Sequence, residues 1–369
     1  MPQIKVADRL IGGSAPIFII AEAGTAHNGS IQKAFELIDA AREAGADCVK
    51  FQYVIADEIV HPKAGAFPLL GKSVDIYRRF RALEQPFAFY EELNDYCRRT
   101  GILFLCSPFG PQSARQLLSL KPAAVKIASP ELNHYPMLAC FRGSGVPLFV
   151  STGVSTLSDI RDALAFIDSP VALLHCVTTY PMPPEEAGLG AIAQLARRFR
   201  CVAGFSDHSE DPLLVPMTAA ACGASIIEKH FTLSHSGDGL DDPFALEPLQ
   251  LSRMVKALRR LDPLKQDERL QIVREEFGAQ RIDQIRGKKK KKLTPEEKTI
   301  YKTTNRSLLA ITDILPGEAL SEKNCALLRS EHNLRPGLPP RQYAAAMKKK
   351  AAVPIANGSA ILMNMLKKR

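Results

Sequence analysis

Two histidines stand at the ends of neighbouring apolar runs in the middle of the chain. His208 comes shortly after the run 201–204 and His230 shortly after the run 224–227, with a helix-like stretch, 212–222, between them. Both runs predict buried strands, and parallel strands joined by a helix bring their carboxyl ends to the same edge of a sheet. Two imidazoles there can share one metal ion and leave coordination positions open, as catalytic metals require. Alone, the pair could equally be two unrelated histidines, one capping a loop and one in the core.

The same pattern of an apolar run, a polar residue and a helical stretch recurs over roughly the first 260 residues. Eight such runs are predicted strands, at residues 16–20, 48–51, 102–106, 123–127, 148–150, 171–176, 201–204 and 224–227. Eight apolar strands alternating with amphipathic helices predict an α/β fold, the closed parallel (β/α)8 TIM barrel, whose active site lies at the C-terminal face. A doubly wound open sheet is the rival fold, but no Gly-x-Gly-x-x-Gly turn follows the first strand.

The chain is longer than one ordinary barrel, at 369 residues. Segment 283–302 is charged and poor in apolar residues, which indicates a linker. Beyond it, short apolar pieces alternate with turns such as Pro316-Gly317 and Asn357-Gly358, which predicts a small β-rich domain of roughly 65 residues. We therefore expect a barrel domain over 1–282, a linker over 283–302 and a second domain over 303–369.

Composition indicates a cytoplasmic protein without a membrane span. No apolar stretch reaches about 18 uncharged residues, and the N-terminus has no apolar signal-peptide region. The 8 cysteines are scattered without a Cys-x-x-Cys pair, and several lie inside predicted strands. They are interpreted as reduced core residues rather than as a disulfide framework.

The net charge of +9 is concentrated outside the predicted barrel, in lysine-rich runs at 288–292, 348–350 and 367–369. The run of five lysines is most simply a solvated linker. Nucleic acid is a disfavoured partner, because no aromatic residues interleave the run as a stacking surface would need.

Two further lysines, Lys50 and Lys126, lie inside predicted strands. A buried lysine is costly unless it faces a ligand or a counter-ion. Two ammonium groups near one open face of a barrel therefore indicate an anionic substrate that carries phosphate or carboxylate.

Short motifs in a fixed order extend these observations along the chain. They include AEAG at 21–24, VKFQ at 49–52, SPF at 107–109, VKIAS at 125–129, STG at 151–153, GFSDH at 204–208, EKHF at 228–231, RSL at 306–308 and RPG at 335–337. Through them the chain resembles the sialic acid synthase family over nearly its whole length. Residues 303–369 are similar to the C-terminal antifreeze-like (SAF, β-clip) domain of that family.

The resemblance implies an activity and its cofactor. It implies condensation of phosphoenolpyruvate with an N-acylated aldose, either N-acetylmannosamine or a bis-acetamido deoxyhexose, to a nonulosonic (sialic, legionaminic or pseudaminic) acid and phosphate. His208 and His230 match the ligands of a divalent metal, usually Mn2+, with Mg2+ and Co2+ also compatible. The active form is expected to be a domain-swapped homodimer, since a linker of about 20 residues can reach a neighbouring chain.

The resemblance also assigns roles to individual residues. Positions matching phosphoenolpyruvate contacts are Lys50, Ser107, Lys126, Ser129, Ser151 and Ser206, and further substrate-binding candidates are Gln52, Thr178, Tyr180, Asp207, Asp241 and Arg335. Glu131 is the first candidate for proton transfer and Glu22 the alternative, although Glu22 could instead form an ion pair with one of the lysines. Arg335 matches an arginine that reaches sugar bound in the other subunit, and Arg329 competes for that assignment.

Two other functions are open at this point. One is a barrel synthase that joins phosphoenolpyruvate to a phosphorylated sugar, which would need an extra basic cluster and would lack the SAF domain. The other is a non-catalytic protein that binds nucleic acid or acidic glycans through the SAF domain and the lysine runs.

Overall fold

The computed structural model describes residues 2–69, 72–237, 239–288, 290–331 and 333–368. Its strands are β1 (Gln3–Val6), β2 (Arg9–Gly12), β3 (Phe18–Gly24), β4 (Cys48–Tyr53), β5 (Ala66–Leu69), β6 (Lys72–Asp75), β7 (Leu103–Pro108), β8 (Val125–Ile127), β9 (Leu148–Ser151), β10 (Val171–Cys176), β11 (Val202–Asp207), β12 (Ile226–His230), β13 (Arg306–Ala310), β14 (Cys325–Arg329), β15 (Lys349–Ala351) and β16 (Leu366–Lys368).

The helices lie mostly between the strands of the first domain. They are α1 (Ile31–Glu43), α2 (Ala56–Ile59), α3 (Ile76–Leu83), α4 (Phe87–Thr100), α5 (Pro111–Ser119), α6 (Tyr135–Ala139), α7 (Leu157–Leu164), α8 (Gly190–Phe199), α9 (Leu214–Ala221), α10 (Pro248–Leu261), α11 (Gln266–Phe277), α12 (Ala279–Arg286), α13 (Pro295–Thr304) and α14 (Tyr343–Ala346). None of the described helices is both long and apolar enough to cross a bilayer.

Eight parallel strands form the predicted barrel, in the order β7-β4-β3-β12-β11-β10-β9-β8. The outermost two, β7 and β8, also contact each other, so the sheet is nearly closed. All eight predicted strands are present, and the (β/α)8 prediction is confirmed. The antiparallel pair β1–β2 was not predicted. It places Ile4, Val6 and Ile11 against apolar side chains of the barrel strands such as Phe149 and Leu174.

Local signals explain where the barrel helices begin and end. Ser30 caps α1, because its hydroxyl accepts the backbone N–H of Lys33 at 3.2 Å. Thr156 and Asp159 form a reciprocal capping box at the start of α7. Gly101 ends α4 in the left-handed conformation, with φ of 79°, which a residue with a Cβ seldom adopts. These helices pack their apolar faces on the outside of the barrel.

The second domain is small and β-rich, as expected for a SAF domain. Strands β13 and β14 pair antiparallel, and so do β15 and β16. Bridges such as Ile314 to Ile355 and Leu309 to Ala360 join the remaining segments. A separate apolar cluster forms its core, including Leu308, Leu327, Leu338, Ile355 and Ile361.

The second domain is seated on the barrel of its own chain by buried charges. The guanidinium of Arg306, fully buried, donates to the carboxylate of Glu131 and to the carbonyl oxygen of Phe109 at 2.7 Å. Arg329 Nη2 donates to the other Glu131 oxygen at 2.6 Å. Around this centre, His61 Nε2 contacts Asn357 Oδ1 at 2.7 Å. The domain therefore covers loops that follow β4, β7 and β8.

These contacts assign Glu131 a different role from the one expected. Burial raises the pKa of its carboxyl group, but the guanidinium groups of Arg306 and Arg329 outweigh burial and bring the pKa to about 2. Both oxygens are occupied by arginine. A carboxylate so strongly held as an anion is a poor proton acceptor near neutral pH, so Glu131 anchors the second domain and is not suited to proton transfer.

We predict that Glu131→Gln destabilises the protein by about 3–5 kcal/mol, because two buried guanidinium groups lose their counter-charge. Urea unfolding measures the change. The contribution of Glu131 should be complete above its ordinary pKa of 4.5 and should be lost as the pH falls toward about 2, since its folded-state pKa is lowered.

The matched control is Asp162→Asn. Asp162 forms an exposed ion pair with Arg161 at 3.1 Å, which is worth at most about 1 kcal/mol. Equal urea midpoints for the two variants would show that the Glu131 contacts do not hold the domain.

Candidate active site

Buried lysines and carboxylates meet at the carboxyl ends of the barrel strands. The register of β3 places Glu22 opposite both Lys50 and His230. Lys50 Nζ lies 2.7 Å from Glu22 Oε2 and 3.9 Å from Glu228 Oε2. Lys126 Nζ lies 3.5 Å from Glu228 Oε1. The interpretation of Glu22 as an ion-pair partner of a lysine thus agrees with the structure, and Glu228 is a member that was not singled out from the sequence.

Hydroxyl and amide groups connect this cluster. Lys50 Nζ donates to Ser107 Oγ at 3.3 Å, and Gln52 Nε2 donates to Glu22 Oε1 at 2.8 Å. Ser206 Oγ donates to Glu228 Oε1 at 3.1 Å and lies 2.7 Å from Ser151 Oγ. The structure therefore brings together the predicted residues Glu22, Lys50, Gln52, Ser107, Lys126, Ser151 and Ser206.

The two lysines differ in how far their charge is satisfied. Burial lowers the pKa of Lys50, but the carboxylates of Glu22 and Glu228 outweigh burial and raise it above the ordinary value. Burial lowers the pKa of Lys126, and Glu228 offsets this only in part. The contacts of Lys126, at 3.5 Å to Glu228 and 3.4 Å to the Ile127 carbonyl, are long. Its ammonium group keeps donor capacity for an added anion.

The two histidines lie beside this cluster, with ring centroids 5.4 Å apart. His208 Nδ1 is 2.8 Å from the Val177 carbonyl oxygen, an acceptor, so Nδ1 carries a proton and, in the neutral ring, Nε2 carries the lone pair. Burial, and then the proximity of His208, lower the pKa of His230 to about 3. Its Nδ1 is buried without a hydrogen bond in the described structure.

This donor set fits a metal ion. A carbonyl that fixes one tautomer is the usual support for a metal-binding imidazole, and an orphaned buried nitrogen on the second ring needs a partner. Among the described residues, no group of three or more His, Cys, Asp or Glu side chains is arranged to hold a metal. The protein would therefore supply the two imidazoles, and water and substrate the remaining ligands.

Tyr180, Asp241 and Phe244 surround the histidines on the side of the mouth. Tyr180 stacks on His208 with centroids 4.1 Å apart, and Phe244 lies edge-on to His230 at 5.7 Å. Asp241 Oδ2 is 3.4 Å from His230 Nδ1, and burial raises the pKa of Asp241 to about 6. Gly24 shows how closely these groups converge, because a Cβ there would lie 3.3 Å from Gln52 and 3.7 Å from Asp241.

Ser129 and Thr178 meet around Gly153, at the turn that follows β9. The Gly153 N–H donates to Ser129 Oγ at 2.9 Å. A Cβ on residue 153 would clash with Thr178 Oγ1 and would lie 2.8 Å from Ser129 Oγ, so only glycine fits. Thr178 Oγ1 is buried without a partner in the described structure, which leaves it available to a ligand.

The linker supports this turn, which was not expected of a solvated segment. Glu297 on α13 is fully buried and accepts the backbone N–H of Val154 at 2.8 Å and of Thr178 at 3.2 Å. Lys291, from the lysine run, is also buried, and its Nζ donates to the Cys176 carbonyl at 3.3 Å. The interpretation of the five-lysine run as solvated is therefore wrong for Lys291.

Asp207 and Arg335 lie apart from the clustered residues. Asp207 points to the other side of β11, where its carboxylate accepts from Lys229 Nζ at 2.8 Å and from the Ser209 N–H at 2.8 Å. It stabilises that loop and does not face the site. Arg335 is exposed and has no ion pair among the described residues. Its competitor Arg329 is bound to Glu131.

We predict that Glu297→Ala loosens the turns that carry Gly153 and Thr178. The Val154 and Thr178 amides lose a buried acceptor, which costs about 1–3 kcal/mol each. Hydrogen exchange at these two amides should accelerate by roughly tenfold or more. Glu296→Ala is the control, since Glu296 is exposed and makes only a 3.4 Å contact with Thr179 Oγ1. Unchanged protection of both amides in Glu297→Ala would contradict the supporting role.

Comparisons with known proteins agree with this geometry. The chain is 38% identical to the spore coat polysaccharide biosynthesis protein SpsE of Bacillus subtilis, over 93% of this chain and 91% of that protein. The crystal structure of that protein superposes with a TM-score of 0.82 at 35% identity, covering 100% of this chain and 99% of the other. An N,N'-diacetyllegionaminic acid synthase of Legionella pneumophila is 31% identical over 88% of each chain. A pseudaminic acid synthase of Campylobacter jejuni is 30% identical over 94% of this chain and 95% of that enzyme. The model of the NeuB family matches residues 37–269. The chain therefore belongs to the NeuB family.

Proposed function

We propose that the protein condenses phosphoenolpyruvate with an N-acylated aldose to give a nonulosonic acid and phosphate. The observation that carries the proposal is the juxtaposition, at one end of the barrel, of two buried lysines with a histidine pair suited to a metal. The relatives named as legionaminic and pseudaminic acid synthases support the same reaction class.

The lysine end of the site is suited to phosphoenolpyruvate. Lys126 retains donor capacity, and Lys50 is held charged by Glu22. Phosphate and carboxylate groups are bound well by ammonium and hydroxyl donors. We assign this substrate to a shell formed by Lys50, Ser107, Lys126, Ser129, Ser151, Thr178 and Ser206.

The histidine end is suited to the aldose. His208 and His230 would hold a divalent ion, for which we propose Mn2+, and the bound ion would supply Lewis-acid polarisation of an aldehyde oxygen. Gln52, Tyr180 and Asp241 are positioned to bind sugar hydroxyls. We propose an uncharged N-acyl aldose rather than a sugar phosphate as the acceptor.

The bond changes follow from this placement. C3 of phosphoenolpyruvate bonds to the aldehyde carbon, water adds at C2, and phosphate leaves from C2 by C–O cleavage. Holding both substrates in one water-poor site provides orientation and charge stabilisation. Glu22 is our candidate for moving the proton, because it lies between Lys50, Gln52 and His230, whereas Glu131 is occupied by arginines.

A phosphate-release assay tests the function. With phosphoenolpyruvate, Mn2+ and a panel of N-acyl aldoses, we expect phosphate only when both substrates are present, together with a product of the mass of a nonulosonic acid. EDTA or His230→Ala should abolish release. Lys126→Met should lower kcat/KM for phosphoenolpyruvate by about 10- to 150-fold, the value of one charge-assisted contact.

Lys256→Met, an exposed change on α10, is the matched control and should leave the kinetics unchanged. Turnover that survives EDTA and alanine at both histidines would exclude the metal assignment. Equal kinetics for Lys126→Met and Lys256→Met would make Lys126 a structural residue.

We further propose that the enzyme works in the cytoplasm, where phosphoenolpyruvate is formed, and as a homodimer. We keep the domain-swapped form as part of this proposal, in which the exposed Arg335 side chain of one chain reaches the sugar end of the neighbouring chain. Within the single chain, α13 and the Arg306–Glu131 contacts hold the second domain beside the barrel.

Mixing two inactive variants tests this arrangement. Arg335→Ala should weaken aldose binding much more than phosphoenolpyruvate binding. A mixture of Arg335→Ala and His230→Ala chains should regain part of the activity, because one hybrid site has both an intact barrel and an intact arginine. Hybrid dimers without any regained activity would mean that Arg335 does not act across the interface.

A further inference from the structure

The far edge of the second domain carries five lysines on one short hairpin. In the antiparallel pair β15–β16, Lys349 stands opposite Lys368 and Lys350 opposite Lys367. Lys348 precedes them, and a concavity of about 380 Å3 is lined by Lys348, Lys349 and Lys368 together with Ala344 and Ala345. We call Lys348, Lys349, Lys350, Lys367 and Lys368 the basic hairpin, in which the Lys349–Lys368 pair lies on one face and the Lys350–Lys367 pair on the other. Like charges directly opposite each other in a sheet are destabilising.

Nothing in the described chain relieves this repulsion. None of the five lysines forms an ion pair with a carboxylate among the described residues. Lysines on an edge strand can serve to prevent strand addition, but that function concerns only the outer strand, β16. Strand β15 is an inner strand, because Leu320 N–H donates to the Lys349 carbonyl on its other side. The arrangement therefore indicates an anionic partner.

Beyond the basic hairpin, an apolar patch lies on the segments that adjoin β15 and β16. The Ala352 N–H donates to the Met365 carbonyl, so the β15–β16 pairing extends toward Val353 and Met363. On the other side of β15, the bridge from Ile314 to Ile355 places Leu315, the residue after Ile314, next to the segment that follows β15. We call this patch the apolar end, and its side chains are exposed by 68% (Leu315), 42% (Val353), 41% (Leu362) and 38% (Met363).

We propose that the basic hairpin and the apolar end together dock the protein on an anionic lipid bilayer. Clustered lysines are attracted to anionic headgroups, and adjoining exposed aliphatic side chains can enter the boundary of the acyl chains. Nucleic acid fits less well, because the apolar end offers aliphatic side chains and no aromatic ring for base stacking. The surface is separate from the substrate site, so binding does not require catalysis.

Co-sedimentation of the full chain with vesicles tests the proposal. We expect binding to phosphatidylcholine vesicles that contain phosphatidylglycerol, weakened by salt, and little binding to phosphatidylcholine alone. Lys367→Gln/Lys368→Gln should weaken binding by about fivefold for each lysine, or roughly thirtyfold together. Leu362→Ser/Met363→Ser should weaken it by about tenfold, through loss of apolar insertion.

The matched control is Lys288→Gln/Lys290→Gln, which removes the same charge from two exposed lysines of the linker run. It should bind vesicles like the parent protein, and no variant should have a lower melting temperature than the parent. Equal losses in the control would reduce the effect to net charge and overturn the proposal. So would equal binding to neutral vesicles, or binding of a duplex oligonucleotide or a second protein chain through these residues without binding of vesicles.

Discussion

The charge balance around Glu228 is the constraint on which the barrel mouth depends. Its carboxylate lies between Lys126 and Lys50, at 3.5 and 3.9 Å. Burial raises the pKa of Glu228, but these lysines outweigh burial and bring it to about 2. A lysine buried without a counter-ion would tend to lose its proton. Glu228 thus supplies a counter-charge to two buried lysines, and Ser206 ties it to Ser151 on a further strand.

Buried carboxylates also organise the rest of the molecule. Glu131 holds the second domain through Arg306 and Arg329, and Glu297 holds the linker against the turn at Gly153. Each carboxylate accepts several hydrogen bonds in a site closed to water, where an unpaired partner would be costly. The cluster of lysines and carboxylates, the linker and the second domain are consequently parts of one connected structure at the C-terminal face.

The sequence was informative where the physical cause is local. Continuous apolar runs predicted all eight barrel strands, because both faces of a parallel sheet are buried. Strand alternation could also have separated Asp207 from Ser206 and grouped Glu228 with His230, since successive side chains point to opposite faces. The roles of Glu131 and Glu297 could not be predicted, because their partners lie 175 and 143 residues away in sequence. Local charge made the linker look solvated, although tertiary contacts bury Lys291 and Glu297.

The buried contacts of the linker and of the strand that follows it limit how this protein can be recombined with its relatives. In a chimera joined at the lysine run, Glu297 and Arg306 would come from one parent. The Thr178 N–H, which donates to Glu297, and the Glu131 carboxylate, which accepts from Arg306, would come from the other. Any mismatch would leave a buried charge without a partner. The boundary at which barrels or second domains can be exchanged is therefore not the segment with the most linker-like composition. Barrel loops, linker and second domain have to be inherited as a matched set.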